Sequence, residues 1–379
     1  MWSPREGSRL SSTRVGVSLS VLFALLAAAT ALPRVNEAVG QAWPVGDARP
    51  AAQARNSTPA AIKGMTVSTP RGSAEWGSDQ MVRTIADLET LGVNWIAIHP
   101  YARIEKDGTV RWRRRDGGAV SEAPDWLRRP IEESHRRGLR ILIKPHLAYW
   151  GNYEWRGDIR FDSRERQERF FSTYEAWIAE IARFSHDADA FVVGTELDGT
   201  IEHHERWRRI IAAVREEYSG PLTYAANWDA FDRVEFWDAL DMIGIQAYFP
   251  LLPEPEPGEM TELVAGDLDR AWAQIMRRVR DYSARVERPV LLTELGYNNS
   301  SRAPYEPWDP EVGGHNADFV QELCMRAALK AIDVEPSVVG AFLWKWFPGT
   351  RAPRNFAMST PAMRRVISEH WLAGSGSSQ

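Results

Sequence analysis

Eight short apolar runs, each followed by a longer stretch of helical spacing, divide residues 62–372 of this chain. The runs fall at 62–68, 93–98, 139–147, 190–197, 222–226, 242–249, 290–297 and 338–346. Each is short and apolar on successive residues, as a strand covered on both faces must be. Between them, 79–91, 124–137, 163–186, 202–218, 268–287 and 318–334 keep apolar residues to one helical face, with a shorter segment at 231–237 and a last one at 361–372. Eight repeats of strand then helix predict an α/β chain, a (β/α)8 TIM barrel in a single domain over 62–372. An open doubly wound sheet would more often carry a glycine-rich turn after its first strand, and Gly64-Met65-Thr66 is no dinucleotide fingerprint.

The connections are asymmetric. Helix-to-strand turns are short and punctuated, at Leu91-Gly92, Arg137-Gly138, Ser219-Gly220-Pro221 and Glu287-Arg288-Pro289, whereas strand-to-helix loops are long, at 69–78, 99–123, 148–162, 250–267 and 298–317. The elaboration lies at the strand C-termini, where barrel enzymes keep their chemistry. Ahead of the barrel, Arg5, Arg9 and Arg14 precede the apolar run 15–29 and a small-x-small site at Ala29-Thr30-Ala31, so 1–31 read as a signal peptide. The expected location is secreted or periplasmic; left uncleaved, the same segment would anchor the protein in a membrane. Residues 32–61 lack apolar periodicity and predict a flexible spacer, and 373–379 predict an unstructured tail. A net charge of −5 argues against a nucleic-acid partner. The single cysteine, Cys324, excludes an intramolecular disulfide and any multi-cysteine metal site, and a monomer is expected.

Two glutamates close apolar runs: Val192-Val193-Gly194-Thr195-Glu196-Leu197 in the fourth, and Leu291-Leu292-Thr293-Glu294-Leu295-Gly296 in the seventh. A carboxylate at the end of an apolar strand is costly unless it is paired or used. Strands four and seven of such a barrel lie on roughly opposite sides of the mouth, so Glu196 and Glu294 can flank one bond. Glycoside hydrolysis needs that arrangement of two carboxyl groups. The alternative is a strand-end glutamate paired to one of the many arginines.

The chain resembles the retaining (β/α)8 glycosidases and, more closely, glycoside hydrolase family 113, the β-mannanase-like family. The residues that carry the resemblance are Lys63-Gly64-Met65 with Trp76-Gly77, Lys144-Pro145-His146, Trp155-Arg156-Gly157, Gly194-Thr195-Glu196-Leu197, 224–229, 243–251, Thr293-Glu294-Leu295-Gly296-Tyr297 and 342–346, in order along the barrel. The resemblance implies a poly- or oligosaccharide substrate, no cofactor and no metal. It makes Glu294 the nucleophile and Glu196 the acid/base, with nearby ionised Glu294 expected to raise the pKa of Glu196. Many relatives in the wider clan place Asn before the acid/base, contacting the sugar 2-hydroxyl; Thr195 stands there, and Asn227 is the candidate for that contact.

Other residues support a sugar site. Tyr248 ends the sixth run and could hydrogen-bond Glu294; His146 ends the third, beside Lys144, and could bind a sugar hydroxyl or a carboxylate. Trp344 and Trp346 share one face of an eighth strand by the two-residue period, and Trp344 is expected to floor the sugar site. Of the seventeen tryptophans, Trp76, Trp150, Trp155, Trp228 and Trp308 lie in strand-to-helix loops, where platforms for a glycan would sit. Arg156 is a candidate clamp for a hydroxyl or a carboxylate. Glu202-His203-His204-Glu205 is discounted as a metal site, because adjacent histidines on a helix diverge. The glycosylation triplets at Asn56, Asn298 and Asn299 are read as chance. The expectation is a secreted retaining β-glycosidase of endo-β-1,4-mannanase type. Activity on another β-glycan, transglycosylation, and a non-catalytic glycan-binding barrel are the alternatives.

Overall fold

The computed structural model describes residues 61–70, 72–112, 122–255, 263–349 and 355–373; the segments read as signal peptide, spacer and tail lie outside them, apart from residues at their edges. Eight strands form the barrel: β1 (Ile62–Val67), β2 (Trp95–Ile98), β3 (Arg140–Ile143), β4 (Ala190–Thr195), β5 (Leu222–Asn227), β6 (Met242–Gln246), β7 (Val290–Leu295) and β8 (Val338–Trp346). Each pairs in parallel with its sequence neighbours, and β1 pairs with β8, so the sheet closes. Among the described residues seven α-helices cover it: α1 (Asp79–Glu89), α2 (Asp125–Arg136), α3 (Arg164–Phe184), α4 (His204–Glu217), α5 (Ala265–Val286), α6 (Ala317–Asp333) and α7 (Pro361–Ala373). The segment expected to be a short helix at 231–237 instead forms two single turns, Phe231–Arg233 and Trp237–Ala239, whose aromatic side chains fill the place of a helix. Among the described residues no helix is long and apolar enough to cross a membrane.

Alternation along each strand separates two cores. Residues such as Phe191 and Val193 point outward into the large cluster between barrel and helices. Their neighbours Ala190 and Val192 point inward and join Trp95, Leu142, Met242, Leu291 and Phe342 in the barrel interior. The Phe342 ring crosses that interior edge-on to Trp95, at 6.1 Å and 87°. It fits because β1 offers Gly64, where a Cβ would stand 2.4 Å from the ring. Burying such a ring contributes about 2–3 kcal/mol. Above the apolar layer, toward the strand C-termini, the buried side chains turn polar: Thr66, Lys144, Gln246 and Thr293.

One expectation about the third strand is corrected here. β3 ends at Ile143, and His146 opens a separate short strand, His146–Ala148. That strand pairs with Tyr101–Ile104, which also pairs with Val110–Arg111, so the long segment after β2 is partly a small three-stranded sheet rather than loop. Pro145 explains the break, since it supplies no N–H for a continuing ladder. The small sheet stands at the barrel mouth and holds His146, Tyr101 and Trp150 there.

Candidate active site

Glu294 reaches the barrel mouth through a break in alternation. Val290 and Leu292 point to the outer core and Leu291 inward. A strict two-residue period would send Glu294 outward too. The register of β7 shifts between Leu292 and Glu294 against β6, and between Leu292 and Leu295 against β8. Leu295 is again in the outer core, so two consecutive side chains, Thr293 and Glu294, face the mouth. Such bulges re-aim side chains next to active sites. The same device acts in β8, where Leu343 and Trp346 are both in the outer core and Trp344 and Lys345 lie between them. Trp344 and Trp346 therefore do not share a face, contrary to the two-residue reading: Trp346 packs under Arg364, and Trp344 faces the mouth.

The carboxylate of Glu294 is buried among donors. The Lys144 ammonium donates to its Oε1 and, at 3.2 Å, to the Thr293 carbonyl. The Tyr248 hydroxyl donates to Oε2 at 2.6 Å, from a position two residues beyond the end of β6. His146 Nε2 lies 3.8 Å from Oε1. Lys144 is 0% exposed, and its Nζ stands 4.9 Å from the centroid of the Trp344 ring. Burial pulls the pKa of Lys144 down, and neighbouring Glu294 opposes that pull. Burial pushes Tyr248 well above its ordinary value, so it stays a donor.

Glu196 leaves β4 in a left-handed backbone conformation, with φ 51°. Such a conformation costs a non-glycine residue about 1–3 kcal/mol and persists only where its surroundings impose it. Here they do: the Glu196 N–H donates to the Ala225 carbonyl at 2.9 Å, and the next N–H, of Leu197, donates to the Tyr224 hydroxyl at 2.8 Å. The Gln246 amide donates to Glu196 Oε1 at 3.3 Å, and its own Oε1 accepts from the Thr293 hydroxyl at 2.9 Å. Gln246 thus links Glu196 to the residue before Glu294. The pKa of Glu196 is raised, and the cause differs in order from the expectation: burial comes first, Glu294 adds to it, and Arg156, with Nε 3.7 Å from Oε2, pulls the other way.

Around the pair lies a set of polar atoms with no hydrogen-bond partner in the protein: both ring nitrogens of His146, and Nε and Nη1 of buried Arg156. Buried polar atoms are normally satisfied, and these four lie beside the two carboxyl groups, His146 near Glu294 and Arg156 near Glu196. His146 stacks between His99, at 5.0 Å, and Trp344, at 6.0 Å. Burial and the neighbouring cations hold both imidazoles well below the ordinary value of 6.5, so they are neutral at neutral pH. Arg156 is supported by Tyr149, 5.5 Å below its guanidinium, and by Gly157, which leaves room for the Trp155 ring.

Not every expected residue is in the cleft. Trp76 is 1% exposed, donates its indole N–H to the Val67 carbonyl at 2.9 Å and meets His99 edge-on, so it packs behind the site and offers no platform. Asn227 ends β5, half-buried, two residues past the carbonyl that holds Glu196. Asn298 is buried and fully engaged as a loop anchor. His203 lies against Gln167 while His204 lies 3.4 Å from Glu235, so the two histidines do diverge. The sequence reading passed over Lys144 and Gln246 as site residues. A lysine directly after an apolar strand, and the glutamine that ends Met-Ile-Gly-Ile-Gln, were the available signals. Beyond them, burial, with Glu196 and Asp229 nearby, raises the Asp198 carboxyl to about 7.

Residues 65–358 match the model of Glycoside Hydrolase Family 113. Among solved structures, the chain is similar to the GH113 β-mannanase AaManA from Alicyclobacillus acidocaldarius in complex with ManMIm, with TM-score 0.71 and 26% identity over 83% of this chain and 98% of that one. It is similar to a GH113 β-1,4-mannanase with TM-score 0.67 and 21% identity, over 83% and 99%. A Ruminococcus gnavus β-glucuronidase shares the fold, with TM-score 0.56 and 14% identity over 83% of this chain and 50% of that one. A comparison with curated proteins finds no match. With a family match that runs from β1 to beyond β8, this chain belongs to glycoside hydrolase family 113 and is a glycoside hydrolase.

Proposed function

We propose that this enzyme hydrolyses a β-1,4-mannan by double displacement with retention of configuration. Glu294 attacks the anomeric carbon while protonated Glu196 gives its proton to the departing glycosidic oxygen. In the glycosyl-enzyme the charge of Glu294 is consumed in the ester, so its push on Glu196 lapses and Glu196 can take a proton from the incoming water. The observation that carries this reading is the contrast between the two carboxyls: Glu294 is met by the Lys144 ammonium and the Tyr248 hydroxyl, whereas buried Glu196 has a raised pKa. The similarity to AaManA supports mannan as the substrate. Initial rates on mannan, glucomannan, xylan and β-glucan test it: mannan should be cleaved fastest, and preference for xylan or β-glucan would reject the substrate assignment. The N-terminal basic residues and the run 15–29 support export as part of the same reading.

Two expectations follow from the site's geometry. Trp344 lies over Lys144 and beside His146, where a sugar ring could stack on it. Trp344→Ala should lower kcat/KM about tenfold or more, a loss of ~1.4 kcal/mol in transition-state stabilisation. Unchanged activity per folded molecule would make it packing. The alkaline limb of kcat/KM, on substrates whose leaving group needs a proton, should report loss of that proton from Glu196. Arg156 pulls the Glu196 pKa down, so Arg156→Gln should move the limb to higher pH. A limb that stays put would assign it to another group.

A further inference from the structure

Lys345 is a cation at the barrel mouth that the two displacements leave unused. It lies between Trp344 and Trp346 in β8 and is half-buried. Among the described residues its ammonium has neither a hydrogen bond nor an ion pair, whereas Lys144 meets Glu294 and Arg156 lies 3.7 Å from Glu196. Three rings fix its place: Nζ stands 5.0 Å from the centroid of Trp344, 5.3 Å from Phe347 and 6.0 Å from Phe356. Two of these rings belong to the surroundings of Glu294. Trp344 also carries the Lys144 ammonium, at 4.9 Å, and Phe356 meets the ring of Tyr248, the donor to Glu294 Oε2, at 5.9 Å. The backbone holds the residue there: the Lys345 N–H donates to the Phe356 carbonyl at 2.8 Å, and the Met358 N–H donates to the Lys345 carbonyl at 3.1 Å.

Aromatic faces attract a cation but supply no counter-charge. Burial pulls the pKa of Lys345 down to about 8 against the opposing pull of Glu294, so rings and carboxylate together do not replace the lost water. Glu294 is also shared, since Lys144 and Tyr248 already hold it. In the glycosyl-enzyme its charge is consumed, and two ammonium groups then face a neutral ester.

We propose that Lys345 receives a carboxylate carried by the sugar that Glu294 attacks, which makes the substrate an acidic β-glycan with uronic-acid residues in its chain. The inference deepens the reading of Glu294 as nucleophile and rests on it. One ammonium without a partner matches one negative charge, which favours a carboxylate over a doubly charged phosphate. The carboxylate stays through both displacements, because neither breaks a bond to it, and it supplies the counter-charge that the ester of Glu294 withdraws. A neutral sugar in the same place leaves Lys345 unpaired.

The test uses two aryl β-disaccharides that differ only at C6 of the sugar bonded to the aryl group, CH2OH in one and carboxylate in the other. Both take the configuration of whichever β-glycan the wild-type enzyme cleaves, so a substrate other than mannan leaves the test intact. The wild-type enzyme should show a kcat/KM about tenfold or more higher on the carboxylate form. Lys345→Met should remove most of that preference, and Lys345→Arg should keep most of it. A wild-type enzyme that cleaves the neutral glycoside equally well or better would overturn the proposal without any variant having to fold. So would a preference that survives Lys345→Met, or a proportional fall on both substrates, which would make Lys345 a brace for Trp344. Failure of the nucleophile assignment would appear instead in the azide products of the glutamate variants, and failure of the mannan reading in the profile on neutral polysaccharides.

Discussion

Glu294→Ala should lose at least about 10⁴-fold in kcat/KM on every glycoside tested, and azide should then restore turnover as an α-glycosyl azide. The vacated carboxylate leaves room on the face from which Glu294 would attack, and a small anion entering there displaces the leaving group once, with inversion. Glu196→Ala should behave differently. An aryl glycoside with a good leaving group departs without a proton, so the glycosyl-enzyme should still form on Glu294 and then stall for want of a base. Azide needs no deprotonation, so it should release the enzyme as the β-glycosyl azide, by two displacements. Proton NMR of the two azide products reads the assignment directly. Swapped products would exchange the roles of Glu196 and Glu294, and near wild-type rates in both variants would reduce each glutamate to an ion-pair partner.

Lys144→Met should cost both rate and stability. Its ammonium is buried, donates to Glu294 Oε1 and has no solvent to replace it. Removing one partner of a buried pair leaves the other uncompensated, at about 3–5 kcal/mol. Methionine fills a similar volume, so the loss is chiefly electrostatic. The turnover rate should fall about 100-fold, since the attacking carboxylate loses one of the two donors that hold it in place. The discriminating measurement is a double-mutant cycle in thermal unfolding. Lys144→Met alone should lower the melting temperature, while Lys144→Met combined with Glu294→Gln should recover much of the loss, because the buried charge is then gone. Additive losses would mean that the two residues do not act as a pair.

Much of this was legible in the sequence because barrel periodicity is regular where packing alone decides it. The eight runs, the short turns on one side and the long loops on the other predicted the closed parallel sheet. The readings failed where function breaks the period. The two-residue rule placed Trp344 and Trp346 on one face, yet a register shift puts Trp344 and Lys345 at the mouth and Trp346 in the outer core. Glu294 was found as a strand-end carboxylate, whereas the bulge that turns it inward depends on pairing with β6 and β8, which no local pattern encodes. Trp76 carried a loop tryptophan's signature and is core, since loop position does not tell which way an indole folds. Gln246, which joins the two glutamates, is one polar residue at the end of an apolar run, and its meaning appears only when β4, β6 and β7 are seen side by side.

The central claim is that Glu294 becomes covalently bound to the sugar. Inactivation of the wild-type enzyme with a 2-deoxy-2-fluoro-β-mannosyl fluoride, followed by peptide mapping by mass spectrometry, tests it. The fluorine slows release more than attack, so the intermediate should accumulate with one label per protein, on the peptide carrying Thr293-Glu294-Leu295. A label on Glu196 would contradict the account, as would an unlabelled enzyme that cleaves its glycan to the inverted anomer.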